Sequence, residues 1–395
     1  MYFQGSIVST AMVPSVSVIV PTFKEAENLP LLIPQVAAAF AQRGWIWEII
    51  VVDDNSPDQT RAVLDRLSQR YPQLRYLIRT HERGLSSAVL AGLQLAEHDF
   101  AIVMDADLSH PPESVPALVD ALVKGDADFV IGSRYVSGGK TEDWSYLRWL
   151  NSAGATMLAK PLVGTVKDPM AGFFGLRREA LRQADALNPI GYKIGLELIV
   201  KMHIQPQRVA EVPITFRNRI HGESKLTMKE QFRYLEHLSR LYDYRFPKAA
   251  PRTKFLIAAG CGGSACYAAE LALDLARMPE PVSIAGGLVA MILVTLAFFA
   301  RYVRTQRDFV LMKSPYTEFA SISFAEFTAG WFFAVLTQAH LFVQTAVGLG
   351  ILLLVRYALR KVFLHDLRGI RGTPLAQASM RLTLAPNTVK TAASA

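Results

Sequence analysis

Two carboxylates stand one residue apart at the end of a short apolar run. Asp105 and Asp107 follow a stretch that is typical of a buried strand, within residues 100–113 (FAIVMDADLSHPPE). A Pro-Pro pair then opens a helical pattern, so the acids are expected at the carboxyl end of the strand. A divalent ion such as Mg²⁺ or Mn²⁺, shared with a nucleotide diphosphate, would offset the cost of placing two acids together. The alternative for so short a motif is a solvated acidic turn.

Two earlier strands also end in acidic residues. A β-branched run at 15–21 leads to Glu25, and an apolar run at 48–52 leads to Asp53 and Asp54. Ligands of an open α/β sheet bind beyond the carboxyl ends of its strands, so three acid-bearing ends suit a nucleotide site. Asp53 or Asp54 would then bond the base or ribose, and Glu25 the base. Turn or helix-capping roles are an equal alternative for three residues: Asp54, Asn55 and Asp58.

Strand and helix patterns alternate through the first part of the chain. Predicted strands at 15–21, 48–52, 74–80, 100–104 and 126–132 enclose predicted helices at 28–43, 58–71 and 85–96. The alternation predicts an α/β fold with a doubly wound, mostly parallel sheet and right-handed crossovers. The first strand is not followed by GxGxxG and there is no GxxxxGK[ST], so neither a dehydrogenase-type dinucleotide fold nor a P-loop is indicated.

Basic residues recur in later loop-like segments. They stand beside Gly or Ser, as phosphate-binding residues often do: Arg134, Arg148, Arg219 and Lys225. Isolated arginines are more commonly solvated surface groups. Asp168 and Glu197, the inner acids of this region, are interpreted as structural partners for the arginines. The net charge of +8 is not accompanied by any helix-turn-helix, zinc-finger or RNA-platform pattern, which argues against nucleic acid as a partner.

The chain becomes far more apolar after residue 250. Of 395 residues 51% are hydrophobic, and long apolar runs dominate 254–364, which predicts a membrane domain fused to a soluble one. Four spans are expected at 254–276, 282–302, 319–339 and 341–363. Basic residues fill the central loop and follow the last span, so the positive-inside rule places both termini in the cytosol. No signal-like apolar segment precedes residue 250, which agrees with a cytosolic soluble domain.

A helical pattern at 227–246 connects the two regions. Phe232, Leu235, Leu238 and Leu241 recur at helical spacing among basic residues, so this is either a helix on the membrane surface or a core helix of the soluble domain. The two cysteines, Cys261 and Cys266, lie inside an apolar helical pattern, which leaves no disulfide framework and no zinc spacing.

Eight segments, taken in order, carry a resemblance to a known family. They read VIVPTFKEAEN, VVDDNSPDQT, RGLSSAVLAG, VMDADLSHPPE, IGSRYVSGGK, KDPMAGFFGLR, NPIGYK and RIHGESKL. With them, residues 15–245 resemble a family 2 glycosyltransferase domain of the dolichol-phosphate (polyprenol-phosphate) mannose synthase type, which has a GT-A fold. Relatives that use UDP-sugars carry an acidic residue where this chain has His110, so the mannose-type branch is more similar. Residues 254–364 resemble, more weakly, a four-helix GtrA-like membrane domain.

The resemblance implies inverting, metal-dependent transfer of a hexose, mannose from GDP-mannose, to a polyprenyl or dolichyl monophosphate. The nucleotide sugar would be bound by Pro21, Phe23, Glu25, Val51, Asp53, Asp105, Ala106, Lys193, Arg219 and Lys225. Mg²⁺ or Mn²⁺ would be held by Asp105, Asp107 and Ser109. The acceptor phosphate would be bound by Arg134, Arg148 and Ser152. The catalytic residues would be Asp107, Arg134, Arg148, Arg219 and Lys225.

Two consequences of these roles can be stated in advance. Ser109 replaces a Gln that helps to hold the metal in some members, so the metal site is expected to be weaker or to use water. The four cations would repel one another in the empty enzyme, so we expect them to be only partly ordered until anions bind.

In domain terms, the resemblance divides the chain into five parts. These are a tag remnant and leader at 1–14, a GT-A catalytic domain at 15–226, an amphipathic juxtamembrane helix at 227–250, the GtrA-like domain at 254–364 and a disordered cytosolic tail at 365–395. Membrane lipids and a second copy of the chain complete the expected partners.

Three other functions compete with this one. A polyprenyl-phosphate transferase that uses UDP-glucose or another UDP-sugar differs only in its donor. A processive polysaccharide synthase normally has a QxxRW element, whereas Leu147-Arg148-Trp149 lacks the Gln, and a span before the catalytic domain, where nothing apolar is found here. A non-catalytic lipid-binding or flippase-like protein is disfavoured by the intact DADLS and GESK segments.

Overall fold

The computed structural model describes residues 13–142, 146–188, 190–220, 228–247 and 249–298. These residues form two compact units, which we call the sheet unit (to Leu241) and the hairpin unit (from Tyr242). Arg148 lies on a described helix, but its side chain is not described. Lys225, the predicted spans at 319–339 and 341–363, and the tail at 365–395 lie outside the described residues.

The sheet unit is built on seven strands in the spatial order β3-β2-β1-β4-β7-β5-β8. The strands are β1 (Ser15–Thr22), β2 (Ile46–Asp53), β3 (Leu74–Ile78), β4 (Phe100–Val103), β5 (Phe129–Ser133), β7 (Phe174–Arg177) and β8 (Val209–Pro213). β7 is antiparallel to β4 and β5, and the other pairs are parallel. Two short strands, β6 (Lys140–Thr141) and β9 (Thr215–Phe216), form a second sheet. The predicted mostly parallel α/β sheet is therefore confirmed.

Helices connect the strands as the alternation predicted. They are α1 (Leu29–Phe40), α2 (Thr60–Arg70), α3 (Leu85–Leu95), α4 (Val115–Val123), α5 (Tyr146–Val163), α6 (Arg178–Leu181), α7 (Ile194–Lys201) and α8 (Met228–Arg245). In α1 the apolar residues at helical spacing, from Leu29 through Val36 to Phe40, are all buried. α3 lies very close to the sheet, because a Cβ added at Gly92 would be 2.4 Å from Cγ2 of Ile19. Any larger residue at position 92 would push α3 away from β1.

One face of α8 is buried in the sheet unit. The Tyr234 hydroxyl donates a 2.7 Å hydrogen bond to the Ala155 carbonyl of α5, and Leu238 and Leu241 are buried. Phe232 remains exposed. Of the two interpretations of residues 227–246, the buried face supports a core helix of the sheet unit.

The hairpin unit contains two long helices, α9 (Ala250–Leu275) and α10 (Glu280–Phe298), which pack against each other. Their contact is tight, since a Cβ on Gly287 would be 2.4 Å from Cγ of Glu270. α9 and α10 cover most of the first two predicted spans. Among the helices in the described part of the chain, none is both long and apolar enough to cross a membrane.

Candidate active site

Three acid-bearing loops leave the sheet side by side. β1 lies between β2 and β4, and all three are parallel, so their carboxyl ends meet at one edge. Thr22, the last residue of β1, pairs with Asp53, the last residue of β2. The backbone of Met104, just after β4, donates to the Ile19 carbonyl at 3.1 Å, which brings the next residue, Asp105, to the same edge. The sheet edge predicted to bind a ligand thus carries the residues predicted to bind it.

A tight turn follows β4 and holds the central acids, Asp105 and Asp107. Oδ1 of Asp107 accepts hydrogen bonds from the backbone N–H of Ser109 at 3.1 Å and from its hydroxyl at 2.6 Å. Leu108, between them, has a φ of +62°, in the left-handed region that non-glycine residues seldom adopt. Leu108 is also buried. The turn is therefore held by its own acid and by packing, and it is not a loosely solvated acidic loop.

His110 closes this turn from within. Its Nδ1 accepts a 3.0 Å hydrogen bond from the backbone N–H of Asp105, so the ring proton of the neutral form is on Nε2, 3.9 Å from Oδ2 of Asp105. The ring stacks on Phe173 at 5.1 Å and meets the edge of Phe216 at 5.6 Å. Burial lowers the pKa of His110, although the charges of Asp105 and Asp107 act in the opposite direction. At the level of sequence, His110 served only to distinguish two branches of a family. Its role in holding the turn through the backbone of Asp105 was not predicted.

The oxygen atoms around the turn suit a hard divalent ion. Burial raises the pKa of Asp105, and the charge of Asp107 acts in the same direction. The charges of His110, Arg219 and Lys193 act in the opposite direction but do not outweigh burial. Asp105 and Asp107 offer carboxylates, and the hydroxyl oxygen of Ser109 is beside them. No group of three or more His, Cys, Asp and Glu residues that could hold a metal occurs within the described ranges. The oxygen donors of Asp105, Asp107 and Ser109 are of the kind that a hard divalent ion prefers.

The two acids at the end of β2, Asp53 and Asp54, both accept hydrogen bonds from other parts of the fold. Oδ2 of Asp53 accepts from the backbone N–H of Ser56 at 2.9 Å, and Oδ1 accepts from the Ser56 hydroxyl at 2.5 Å. Burial raises the pKa of Asp53 despite these bonds. Asp54 accepts 2.7 Å bonds from Nε of Arg79 and the backbone N–H of Gly84. Asp54 is therefore bound to the segment that follows β3, Asp53 holds the turn after β2, and a base contact by Asp53 would be a second use of that side chain.

Other residues predicted to contact the nucleotide differ in accessibility. Pro21, Val51 and Ala106 are buried, so their side chains are not presented at the edge. Phe23 is partly exposed and lies beneath the guanidinium of Arg83, 5.6 Å from its ring centre. Oε2 of Glu25 accepts a 2.7 Å bond from the side chain of Asn28. Within this group, Phe23 and Glu25 keep accessible surface.

Arg134 is ordered by a buried acid. Its Nε and Nη2 each donate a 2.7 Å bond to the carboxylate of Asp168, which is fully buried. The backbone N–H groups of Lys167 and Asp168 donate at 2.9 Å to the carboxylate of Glu211. The expectation that Arg134 would be partly ordered and repelled by other cations is therefore wrong, because Asp168 neutralises it. The expectation that Asp168 pairs with an arginine is confirmed.

Two further cations lie beside the turn. Nζ of Lys193 donates a 2.7 Å bond to the Met170 carbonyl, and burial, followed by the charge of Arg134, lowers the pKa of Lys193 to about 8. Nε of Arg219 is 2.8 Å from Oδ2 of Asp107. Arg219 is thus also paired with an acid, and the expectation of unordered, mutually repelling cations is wrong for it too.

The remaining predicted residues lie along α5 and α7. The hydroxyls of Ser152 and Tyr135 are 2.8 Å apart, which brings α5 to the segment that follows Arg134. Glu197 accepts 2.7 Å bonds from the backbone N–H of Asn188 and from Lys201, and its other oxygen is 2.9 Å from Nε2 of His237. Glu197 therefore pairs with a lysine and a histidine, and the expectation of an arginine partner is wrong.

Comparisons with known proteins agree with this geometry. A family model described as Glycosyl transferase family 2 matches residues 17–184. The dolichol-phosphate mannosyltransferase of Pyrococcus furiosus is 48% identical over 229 residues, 57% of this chain and 63% of the relative, so the chain spans just under two thirds of that protein. Those of Mycosarcoma maydis and Saccharomyces cerevisiae are 45% and 43% identical over 60% and 58% of this chain, and 82% and 88% of the relatives.

Among solved structures, glucosyl-3-phosphoglycerate synthase from Mycobacterium tuberculosis is 18% identical, with a TM-score of 0.45 over 58% of this chain and 79% of that chain. The sequence relatives, two of which are covered over more than four fifths of their length, are decisive. The chain is a glycosyltransferase and belongs to glycosyl transferase family 2, in the same group as the dolichol-phosphate mannosyltransferases.

Proposed function

We propose that this protein transfers a hexose from a nucleoside diphosphate to the phosphate of a polyprenyl or dolichyl lipid, and that the hexose is mannose from GDP-mannose. The observation that carries the proposal is the meeting of Asp105 and Asp107 with Arg219 and Lys193 at one edge of the sheet. Carboxylates suit a metal, and cations suit phosphate groups. The names of the relatives support the choice of mannose and of a dolichyl acceptor.

The proposed transfer is a single displacement. A phosphate oxygen of the acceptor attacks the anomeric carbon, a new C–O bond forms, and the bond to the leaving diphosphate breaks with inversion. The second pKa of a phosphomonoester is about 6, so the acceptor is largely ionised at neutral pH and needs no general base. In agreement, Asp168 and Glu197, the inner acids that could have served as a base, are committed to ion pairs.

Charge neutralisation is the main task of the site. Asp105, Asp107 and Ser109 would hold Mg²⁺ or Mn²⁺, which would neutralise the leaving diphosphate. Lys193 and Arg219 add positive charge that is already in place before the reaction. Arg134 lies under Phe216 and Tyr135, within 5.6 Å and 5.2 Å of their ring centres. We assign Arg134 with Ser152 to the acceptor side of the site, and Arg148 and Lys225 complete the proposed set of cations.

We further propose that the protein is an integral membrane protein whose catalytic domain and termini are cytosolic. The support is the apolar character of 254–364 and the placement of its basic residues. The four-helix, GtrA-like organisation of that region is part of this proposal. A membrane location would bring the catalytic domain to its lipid acceptor.

The test is a transfer assay with a panel of radiolabelled nucleotide sugars and a short polyprenyl phosphate, with Mg²⁺ or Mn²⁺. We expect GDP-mannose to label the lipid and the UDP-sugars not to. Labelling by UDP-glucose in place of GDP-mannose would establish the alternative donor. If no nucleotide sugar labels the lipid under conditions in which a dolichol-phosphate mannosyltransferase is active, the proposed function is wrong.

A further inference from the structure

The proposed metal ligand Asp107 already has a cation beside it. Nε of Arg219 is 2.8 Å from Oδ2 of Asp107, and the two side chains are 31% and 10% exposed. The second oxygen, Oδ1, accepts both hydrogen bonds from Ser109. Oδ1 of Asp107 is therefore bonded to the turn, and Oδ2 is bonded to Arg219.

The backbone explains why Arg219 reaches this acid. The N–H of Arg217 donates a 3.1 Å hydrogen bond to the Ser109 carbonyl, so the segment that follows β9 is tied to the turn. Two residues later, Arg219 lies over Asp107. Arg217 itself pairs with a different acid, since its Nη2 is 2.6 Å from Oε1 of Glu113. Neighbouring arginines on one segment thus have separate partners.

A nearly buried carboxylate needs a counter-charge. Only 7% of the surface of Asp107 is exposed, and its carboxylate is close enough to that of Asp105 for the two charges to interact. Without a cation, the two acids would repel each other in a poorly solvated recess. Arg219 removes that cost in the absence of a metal. A divalent ion bound to the same carboxylate would bring two positive charges close together, so binding of the ion weakens the hold of the guanidinium on Asp107.

We propose that Arg219 exchanges with the metal: it holds the carboxylate of Asp107 while the donor site is empty, and it is released to the donor diphosphate when a divalent cation binds. This inference rests on the proposed function, because it takes Asp107 to be a metal ligand. It makes Arg219 a positioning residue for the empty enzyme and a phosphate ligand for the loaded one. After transfer, the return of Arg219 to Asp107 favours loss of the metal together with the nucleoside diphosphate.

The exchange predicts that Arg219 affects metal binding and nucleotide binding in opposite directions. Without nucleotide, an incoming metal must displace Arg219, so the arginine weakens metal binding. With a nucleoside diphosphate present, the released guanidinium contacts phosphate, so the arginine strengthens nucleotide binding. Replacing a residue that merely shapes the turn would weaken both kinds of binding, and replacing a residue that only binds phosphate would leave metal binding without nucleotide unchanged.

The test measures Mn²⁺ binding to the full chain, first without nucleotide, by the paramagnetic resonance signal of free Mn²⁺. Arg219→Ala and Arg219→Gln are compared with Arg217→Ala, which makes the same change in charge two residues away, and with Asp107→Ala. We expect both Arg219 variants to bind Mn²⁺ more tightly by on the order of tenfold, a change equivalent to about 1.4 kcal/mol. Arg217→Ala should leave the affinity unchanged, and Asp107→Ala should abolish binding.

The second measurement adds GDP at saturating Mn²⁺. We expect Arg219→Ala to bind GDP more weakly than the wild-type protein does, which completes the change of sign. Affinities are taken per folded molecule, with circular dichroism as the check on folding. Unchanged or weaker Mn²⁺ binding in both Arg219 variants, while Asp107→Ala abolishes it, would overturn the exchange and leave the metal site standing. Mn²⁺ binding that survives Asp107→Ala would instead remove the metal site and the inference with it.

Discussion

The guanidinium of Arg134 and the carboxylate of Asp168 form a two-point ion pair inside the sheet unit, with Nε–Oδ2 and Nη2–Oδ1 distances of 2.7 Å each. Asp168 has no exposed surface, and 9% of the Arg134 side chain is exposed. The backbone N–H of Arg134 also donates to Oδ2 at 3.0 Å. The pair joins the end of β5 to the segment before β7, so Arg134 has a structural role in addition to any contact with phosphate.

Arg134→Ala should therefore destabilise the fold. The variant leaves the buried charge of Asp168 without its partner, and such a loss typically costs about 3–5 kcal/mol. The free energy of unfolding is measured by urea denaturation. Arg208→Ala is the matched control, because Arg208 pairs with Asp128 at the surface and its removal should change stability little. If the double variant Arg134→Ala/Asp168→Ala is destabilised by the full sum of the single variants, the coupling inferred here does not exist.

Asp107→Ala should abolish transfer and preserve the fold. The carboxylate is the proposed metal ligand. Its loss leaves Arg219, which is 31% exposed and can be solvated, and the buried Ser109, so we expect the melting temperature to fall somewhat without loss of the fold. The initial rate of mannolipid formation and the melting temperature are measured together. Asp99→Ala serves as the control, because Asp99 bonds Ser15 near the opposite end of the sheet. Near-normal turnover of the Asp107 variant, or full activity of the wild-type protein in excess chelator, would refute the metal role.

Lys193 should produce a pH-dependent loss of donor binding. Burial and the charge of Arg134 lower its pKa to about 8, so the ammonium loses its proton as the pH rises through about 8. We expect kcat/KM for the nucleotide sugar to fall above that pH, because kcat/KM reports the free enzyme. Lys193→Arg should move the falling limb to higher pH, since arginine stays charged. An identical limb in both proteins would assign the titration to another group.

Deprotonation of Lys193 should have the opposite effect on stability: activity falls as the pH rises, whereas the free energy of unfolding increases. In the unfolded chain the lysine keeps its proton up to its usual pKa of 10.5, whereas the folded chain loses it from about 8 upward. Between these two values the unfolded state binds more protons, so this group makes the free energy of unfolding rise with pH. Urea denaturation of the wild-type protein and Lys193→Arg over this range would isolate the contribution.

Glu197 should prove structural and not catalytic. It accepts hydrogen bonds from Asn188, Lys201 and His237, and His237 lies on α8, so the acid connects α8 to α7. Glu197→Ala should cost about 1–3 kcal/mol for each buried donor left without an acceptor. The specific activity of the remaining folded protein should be close to normal. Glu97→Ala, which removes a carboxylate that is 68% exposed, is the control. A large loss of kcat without loss of stability would return Glu197 to the list of candidate bases.

The orientation that we propose for residues 254–364 rests on their basic residues. Arg301, Arg304, Arg307 and Lys313 cluster between the second and third predicted spans. A cysteine-accessibility scan in sealed vesicles should place the 303–313 loop and the C-terminal tail on the same side as the catalytic domain. A loop at 303–313 on the opposite side would mean that the number of spans is not four.

Local patterns alone predicted much of the sheet unit. β1, β2 and β4 are apolar runs that end abruptly in polar residues, and each is confirmed within a few residues. Such signals survive because strand and helix periodicity is a property of neighbouring residues. β7 escaped prediction, since a four-residue strand that inserts antiparallel between β4 and β5 carries no distinct local pattern. Its position is decided by pairing with strands that are distant in the chain.

The sequence by itself also determined which residues could do chemistry, because Asp105 and Asp107 directly follow β4. It did not determine their partners. The pairs Arg134–Asp168 and Arg219–Asp107 join segments that are far apart in the chain. The sequence predicted an arginine partner for Asp168 without indicating which one, and it predicted no partner for Asp107. Only the folded chain brings these charges within bonding distance. Burial then decides their state, since desolvation makes an unpaired charge costly: it favours the ion pairs that the structure contains and lowers the pKa of His110.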